Sequence, residues 1–285
     1  MKRQPGEEPY LRRRVVDWLA RGLCVAMTVL AIIPLLSLLA YVVKQGAGAL
    51  SWSFFTQLPK PVGEVGGGMA NALAGSAVLV GLACAVGMPV GILAGIYLAE
   101  FGKNRFGDAV RFCADVLSGV PSIAVGVFVY SLVVLSMRRF SAIAGGLALG
   151  ILMLPTITRT TEELVRLVPD TLREAALALG VPKWRAILRV VLRTALPGIA
   201  TGLMLAVARA AGETAPLLFT AFNNRFWSTS LDKPMASLPV QIFTYAVSPY
   251  DDWHRQAWGA ALVLVMAVLV LNVAARFVVY GRTAR

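Results

Sequence analysis

Long apolar runs alternate with short polar stretches along the whole chain. An α-helix needs about 20 apolar residues to cross the hydrocarbon core of a bilayer, which is roughly 30 Å thick. Suitable runs occur at about 19–43, 69–99, 110–137, 140–160, 195–222 and 256–280. The pattern therefore predicts an all-α polytopic membrane protein with six transmembrane helices.

Composition supports this class. The chain has 285 residues, of which 58% are hydrophobic and 15% charged, and its mean hydropathy is +0.71. A soluble domain carries about 25% charged residues, so little of this chain is left for one. Cys24, Cys84 and Cys113 lie in or beside apolar runs, without the spacing of a metal site or a disulfide framework. We interpret them as small buried hydrophobes and expect no metal site.

The formal net charge of +12 raises the question of nucleic-acid binding. The charges lie between the apolar runs, however, as the positive-inside rule describes for membrane proteins. Nineteen Lys and Arg residues fall on one side of the six predicted spans and seven on the other. This bias predicts that both termini are cytoplasmic and argues against a nucleic-acid-binding protein.

The chain divides into an N-terminal part and a main transmembrane domain. Residues 1–68 are predicted to form a cytoplasmic tail, the first transmembrane helix and an outer loop, and residues 69–285 form the transmembrane domain. The first run, Leu19 to Val43, is too long for a signal-peptide core, so we expect it to stay. A second outer segment, 223–255, holds an apolar stretch too short to span. It suits either an ordered loop or a lid or partner-docking surface.

The cytoplasmic loop at 169–194 has the pattern of two short helices joined by a tight turn. Thr171 and Glu174 match a capping box at the start of the first helix. Gly180 stands where a helix end favours positive φ, and Pro182 suits the first turn of the next helix. Trp184, Ile187, Leu188, Val191 and Leu192 share one face of that second helix, opposite three arginines.

The first loop helix, "EAALAL", carries almost no side-chain bulk. Small residues let another protein approach the helix backbone closely, so this helix suits a docking role. Two alternatives remain: a basic amphipathic helix also rests on anionic lipid, and Glu174 also suits a purely capping role. They explain the second helix better than the first.

Two charges interrupt the fifth apolar run, in "ARAAGETAP". A charge near the bilayer centre costs about 3 kcal/mol on insertion scales, so Arg209 and Glu213 are expected to face protein or a wet cavity. A structural ion pair is one explanation, although Arg before Glu is the weaker order for an i,i+4 pair. Anion handling is the other, because Arg presents a fixed fork of donors to oxyanions. Gly198 and Gly202 predict close helix packing nearby.

Helix breaks are predicted at two places. Gly212 and Pro216 flank Glu213, and proline removes one backbone hydrogen bond from a helix. In the third apolar run, Gly119 and Pro121 of "SGVPS" are likewise expected to break the helix.

Two more polar residues lie near span ends. Asp115 is expected to reach the membrane interface or to pair with Arg111 at i,i+4. Asn71 opens the second span and suits a cap or an interhelical hydrogen bond.

The motif "EAALALG" resembles the EAA motif of ABC importer permeases, whose short helix docks in a groove on the ATPase subunit. The resemblance implies that Glu174, Ala175, Ala176 and Gly180 contact an ATPase. Other stretches, "SGVPSIAVGVF", "ARAAGETAPLLFTAF", "SLPVQIFTYAVSP" and "AWGAALVLVMAVLVLNVAAR", are together similar to the PstA family, permease subunits of the bacterial phosphate-specific (Pst) ABC importer. The similarity covers the chain from about residue 65 onward.

This resemblance implies a MetI-like ABC permease fold and ATP-driven import of inorganic phosphate across the cytoplasmic (inner) membrane. It implies Arg209, Glu213 and Thr214 as part of the substrate pathway. The implied partners are a PstC-like permease forming a heterodimer, two PstB-like ATPase subunits and a PstS-like periplasmic phosphate-binding protein.

The sequence contains no GxxxxGK[ST] motif, the backbone cradle for nucleotide phosphates. We therefore expect no enzyme activity and no cofactor bound by this chain, with ATP and Mg²⁺ held by the partner ATPase. Three alternatives stay in view. An importer for sulfate, molybdate or an organic solute would share the fold. A secondary transporter or channel would predict inverted repeats, which the sequence does not show. A signalling subunit would need a sensor domain, and none is recognisable.

Overall fold

The computed structural model describes residues 7–283. Lys2, Arg3 and Arg285, which contribute to the charge bias, lie outside the described residues. The described chain is helical and contains no named strand. Its helices are α1 (Glu7–Gly46), α2 (Trp52–Thr56), α3 (Ala70–Glu100), α4 (Arg105–Gly119), α5 (Ser122–Val129), α6 (Leu135–Met137), α7 (Ala142–Arg166), α8 (Asp170–Ala178), α9 (Lys183–Ala186), α10 (Leu192–Ala211), α11 (Ala215–Thr220), α12 (Leu238–Ala246) and α13 (Asp251–Thr283).

Five helical segments of the described chain are long and apolar enough to cross a membrane, and a bent pair supplies a sixth candidate. The bent pair joins α4 to α5 and α6 at an angle of 106°. The predicted all-α polytopic membrane protein is thus confirmed, with one of the six spans broken rather than straight.

The fifth span differs most from its prediction. The predicted helix covered 195–222, whereas the observed helix runs from Lys183 to Ala211. Between α9 and α10 the chain passes through one π-helical turn, Ile187–Val191, without leaving the helix. The prediction treated 183–194 as a separate loop helix, but no residue there breaks the helix. Gly212 ends it instead.

The core lies between α3 and α7, which pack along most of their length. Glycines on α3 let the two backbones approach: a Cβ added to Gly95 would fall 2.5 Å from the Cβ of Thr161, and one added to Gly91 would fall 2.7 Å from Ile157. This is the close packing that small residues allow between membrane helices. The paired helices form the rigid frame against which α10 and α11 rest.

Helix α1 stands at the edge of the fold. In its most apolar 18-residue window no residue is buried. Near its end, the rings of Tyr41 and Trp258 meet edge to face with centroids 5.2 Å apart. A Cβ added to Gly46 would fall 2.6 Å from the carbonyl oxygen of Trp258. The rest of α1 therefore presents its apolar side chains outward from this chain.

The outer segment 223–255 is ordered around α12. The backbone N–H of Leu238 donates to Oγ of Ser76 at 2.7 Å, and Tyr245 stacks on Trp253 with ring centroids 4.4 Å apart. His254 Nε2 lies 2.6 Å from the carbonyl oxygen of Ser248. This packing favours the ordered-loop alternative for the segment.

Candidate functional site

The predicted charge pair lies beside a break in the fifth span. Arg209 is in the last turn of α10, and Glu213 follows the helix end. Arg209 Nε is 3.7 Å from Glu213 Oε1, a longer contact than a hydrogen bond. The Arg209 side chain is 60% exposed and that of Glu213 is 18% exposed. Among the described side chains Arg209 makes no hydrogen bond, so its donor fork is available to a ligand.

The position of the pair corrects the predicted bounds of the span, 195–222, because α10 ends at Ala211, next to the predicted break at Gly212. The backbone N–H of Gly212 donates to the carbonyl oxygen of Arg209 at 3.1 Å, and that of Glu213 donates to the carbonyl oxygen of Ala210 at 3.2 Å. These tight bonds close the helix before Glu213. A cation in the last helical turn also interacts favourably with the carbonyl end of the helix dipole.

The wall opposite the charge pair belongs to α7. Leu152, Met153 and Thr156 line a small cleft together with Arg209 and Glu213. The cleft thus sets one hydroxyl and two apolar side chains of α7 against the two charges.

Close packing of α10 on α7 holds this geometry. A Cβ added to Gly198 would fall 2.8 Å from Leu164, and one added to Gly202 would overlap Thr160. Ala206 and Ala210, farther along α10, are buried. The small-residue packing predicted from the sequence is confirmed.

The break continues into α11. Thr214 precedes α11 without a side-chain capping bond, and Pro216 lies in the first turn of that helix. Pro216 is therefore compatible with helix geometry and does not distort α10. A Cβ added to Gly126 of α5 would fall only 2.6 Å from the Cα of Pro216. The chain between Gly212 and Pro216 is thus held against α5.

The second predicted break falls at the bend of the third span. Helix α4 ends at Gly119, Pro121 precedes α5, and the two helices turn by 106°. Since α5 then packs on α11, the two interrupted spans meet. The sequence indicated each break separately, and only the structure shows them side by side.

The cytoplasmic loop at 169–194, predicted to couple the permease to an ATPase, contains the short helix α8. This helix begins at a different residue from the one predicted. Helix α8 begins at Asp170 after Pro169, with no side-chain capping bond. The predicted capping box of Thr171 and Glu174 is therefore wrong, because the capping position is two residues earlier, at Pro169, and Thr171 lies within the helix. Gly180 has φ of +77°, so the predicted left-handed helix end is confirmed.

The two sides of α8 differ. Glu174, Ala175 and Gly180 are exposed, whereas Ala176 is buried against this chain at 7% exposure. A partner that docks on the exposed side meets the first three residues and not Ala176.

The second loop helix does not have the single apolar face that the sequence suggested. Ile187 and Val191 are buried, but Trp184 and Leu188 are more than half exposed. Arg185 stacks over the Trp184 ring at 5.1 Å.

A buried carboxylate that the sequence reasoning missed lies near the predicted coupling segment. Glu162 is 2% exposed and meets three arginines: Arg111 Nε at 2.7 Å, Arg166 Nη2 at 2.7 Å and Arg159 Nη1 at 3.3 Å. Arg111 also donates to the carbonyl oxygen of Leu98 at 2.9 Å. This cluster ties together the ends of α3, α4 and α7. The spacing Arg159, Glu162, Arg166 on one helix was an available signal.

Asp115 has a different partner from the one predicted. It pairs with Arg159 of α7, while Arg111 pairs with Asp108 and Glu162. The 106° bend turns α4 so that Asp115 reaches α7. The prediction that Asn71 forms a cap or an interhelical hydrogen bond is wrong: its Nδ2 donates to the carbonyl oxygen of Asn224, in the loop between α11 and α12, at 2.6 Å.

A second buried carboxylate also escaped the sequence analysis. Glu100 at the end of α3 is 7% exposed and pairs with Arg173 of α8 at 2.9 Å. Among the described residues, no group of three or more His, Cys, Asp or Glu side chains is placed to hold a metal ion.

Comparison with known proteins identifies related chains. The family described as "Binding-protein-dependent transport system inner membrane component" matches residues 87–281. A phosphate transport system permease protein PstA of Yersinia pestis is 47% identical over 267 residues, covering 93% of this chain and 90% of the relative. PstA 1 of Mycobacterium tuberculosis H37Rv is 40% identical over 281 residues, covering 96% and 91%.

Solved structures share the fold at lower identity. A chain of a bacterial ABC transporter that imports the acidic polysaccharide alginate aligns with a TM-score of 0.65 at 14% identity, covering 96% of this chain and 99% of that one. A chain of the inward-facing MetNI methionine ABC transporter aligns with a TM-score of 0.58 at 19% identity, covering 75% and 93%. The predicted MetI-like ABC permease fold is confirmed.

Proposed function

Since the chain belongs to the binding-protein-dependent transport permeases and, within them, to the PstA family, we propose that it is a transmembrane subunit of an ATP-driven importer of inorganic phosphate. Its own role is to line the path of the anion and to receive the driving force from an ATPase. The chain is a transmembrane component of an ABC transporter and not itself an enzyme.

The exposed donor fork of Arg209 carries the proposal. Phosphate is charged at neutral pH and cannot enter a low-dielectric region unpaired. Arginine binds phosphate oxygens through two parallel hydrogen bonds. Arg209 is 60% exposed and has only the long 3.7 Å contact to Glu213. An arriving phosphate can therefore bind Arg209 without first breaking a strong internal ion pair.

Glu213 gives the site a means of release. Its carboxylate lies close enough to Arg209 to attract it once the anion departs. The same carboxylate repels a bound phosphate, which keeps the complex weak enough for transport. Thr214 belongs to this path as the last of the three residues, 212–214, that separate α10 from α11. Gly212 and Pro216, with Gly119 and Pro121 across the interface, are the proposed hinges of the path.

In this proposal, the partner ATPase acts on the permease through α8. Glu174, Ala175 and Gly180 form the exposed contact with the ATPase, and ATP with Mg²⁺ is bound by that partner. Ala176, first assigned to the same contact, instead packs inside the permease.

The proposed assembly contains a PstC-like permease as the second half of a heterodimer, two PstB-like ATPase subunits and a PstS-like periplasmic phosphate-binding protein. The permease lies in the bacterial inner membrane with both termini cytoplasmic, which the distribution of Lys and Arg supports. A solved alginate ABC transporter in complex with a periplasmic protein has the same fold.

Phosphate uptake into proteoliposomes tests this function. The full complex with its four kinds of subunit is reconstituted, and ATP-driven uptake is compared between the wild type and Arg209→Gln. We expect the variant to assemble and to lose uptake, while Arg138→Gln, which removes an exposed charge from the loop before α7, transports normally. Full uptake by Arg209→Gln would remove Arg209 from the pathway. Preferred uptake of sulfate or molybdate by the wild type would contradict phosphate as the substrate.

A further inference from the structure

The side chain of Arg173, on α8, uses its full capacity to donate hydrogen bonds. Its Nε and Nη2 donate to Oε1 of Glu100 at 3.0 and 2.9 Å. Nη2 also donates to the carbonyl oxygen of Val165 at 2.8 Å. Nη1 donates to the carbonyl oxygen of Val168 and, at 3.0 Å, to Asp170. A guanidinium has five N–H donors, and all five are used here.

These contacts join α8 to two membrane helices. Glu100 is the last residue of α3, and Val165 lies in the last turn of α7. The side chain of Arg173 is 19% exposed and that of Glu100 is 7% exposed, so water screens the pair poorly. Two hydrogen bonds from Arg173 to Glu100 therefore fix the orientation and the length of this ion pair.

Apolar packing contributes little to holding α8. Ala176 is its one buried residue, while Leu172, Leu177 and Leu179 are exposed. Burial of a single methyl group is a small term. Two hydrogen bonds from Arg173 to Glu100 therefore connect α8 to the end of α3, and one to Val165 adds to the three-residue link, 167–169, that joins α8 to α7 along the chain.

The connected helices lead to the anion site. Helices α3 and α7 pack closely through Gly91 and Gly95, so they move together. Thr156 of α7 lines the cleft that contains Arg209 and Glu213. A displacement of α8 is thus carried by direct contacts to one wall of this cleft.

We propose that Arg173 is a positioning residue that transmits movement of α8 to α3 and α7, through Glu100 and the carbonyl oxygens of Val165 and Val168. The inference rests on the proposed function, because it requires an ATPase that acts on α8. Glu174, the neighbour of Arg173, is exposed. The receiving contact and the transmitting contact are therefore adjacent residues of one helical turn.

The test measures phosphate uptake and ATP hydrolysis together, in proteoliposomes that contain the complete complex. The double variant Arg173→Leu/Glu100→Leu removes both charges, so neither is left buried and unpaired. Arg173→Lys keeps the charge without the fork. Arg189→Leu is the control, since it removes an exposed positive charge from the following helical segment.

We expect the double variant to retain the ATPase and to hydrolyse ATP. The phosphate moved per ATP hydrolysed should fall on the order of tenfold or more, the usual size of a coupling between sites. Arg173→Lys should lie between this variant and the wild type, and the control should match the wild type. A ratio in the double variant within about twofold of wild type would overturn the inference. So would loss of the ATPase from the purified double variant, since Arg173 would then only shape the docking helix.

A second measurement is independent of the transported solute. Spin labels on the exposed residues Ala178 and Lys103, after replacement of the native cysteines, report the distance from α8 to the end of α3. We expect ATP to leave this distance unchanged in the wild type and to change or broaden it in the double variant. An ATP-induced change in the wild type would overturn the inference. If the distances behave as expected but the wild type does not take up phosphate, the proposed substrate is wrong and the inference stands.

Discussion

Pro216 lies directly against Gly126: a Cβ added to this glycine would fall 2.6 Å from the Cα of Pro216. The contact joins α11, just beyond the break in the fifth span, to α5, just beyond the bend in the third. Two interrupted helices thus support each other at one point. The contact leaves no room for a side chain between the two backbones.

Gly126→Ala should impair the permease, because the backbone of Pro216 cannot move aside as a flexible side chain would. Overpacking of this kind costs about 1–3 kcal/mol, so we expect a lower melting temperature in detergent and slower phosphate uptake. Gly81→Ala is the matched control. A Cβ there meets nothing within 4 Å, and Ala favours a helix over Gly. Equal behaviour of the two variants would show that α5 and α11 separate easily.

Glu162→Gln should destabilise the fold where α3, α4 and α7 meet. The substitution leaves three arginines, Arg111, Arg159 and Arg166, without their shared carboxylate charge. Arg166 is 49% exposed and keeps access to water, so we expect a loss of about 1–3 kcal/mol rather than the larger penalty of a fully buried unpaired charge. Thermal unfolding of the purified complex measures this. Glu163→Gln changes the exposed neighbouring residue and should leave the melting temperature unchanged.

Arg209→Lys should transport phosphate more slowly than the wild type but faster than Arg209→Gln. Lysine keeps the positive charge near Glu213 but offers a point charge in place of the planar fork. We expect initial uptake rates to fall by about tenfold for Lys, which corresponds to a transport barrier raised by roughly 1.4 kcal/mol. Equal rates for Lys and the wild type would show that charge alone matters at this position.

Ala175→Trp and Ala176→Trp should fail in different ways. Ala175 is exposed, so a bulky side chain there should block co-purification of the ATPase while leaving permease stability unchanged. Ala176 is 7% exposed, so the same side chain should lower the melting temperature of the permease itself. If Ala175→Trp retains the ATPase and full transport, the partner does not bind this side of α8.

The helical spans were predictable because a membrane leaves few alternatives. Backbone groups in hydrocarbon must bond within the segment, so a long apolar run has to form a helix. The helix end at Gly180 followed from local chemistry as well. The helix start at Asp170 was missed by two residues, because Thr171 and Glu174 had the spacing of a cap without occupying its position.

The candidate site was only partly predictable. Arg209 and Glu213 stand out because charges are rare in apolar runs. Their place beside a helix end depended on the break after Ala211, which Gly212 and Pro216 indicated although the predicted span continued to residue 222. Ala175 and Ala176 are chemically identical neighbours, and only packing against the rest of the chain made one exposed and the other buried.

The sequence alone determined the apolar spans and the turn at Gly180, since these depend on neighbours within a turn or two. Tertiary structure decided which charges meet. Arg111 and Glu162 are 51 residues apart in the chain, and Arg173 and Glu100 are 73 apart. Judged from the sequence alone, each arginine had several acidic residues with which it could form an ion pair equally well. The close packing of α3 on α7 and the bend after α4 brought one carboxylate within reach, because burial makes an unpaired charge too unfavourable to remain.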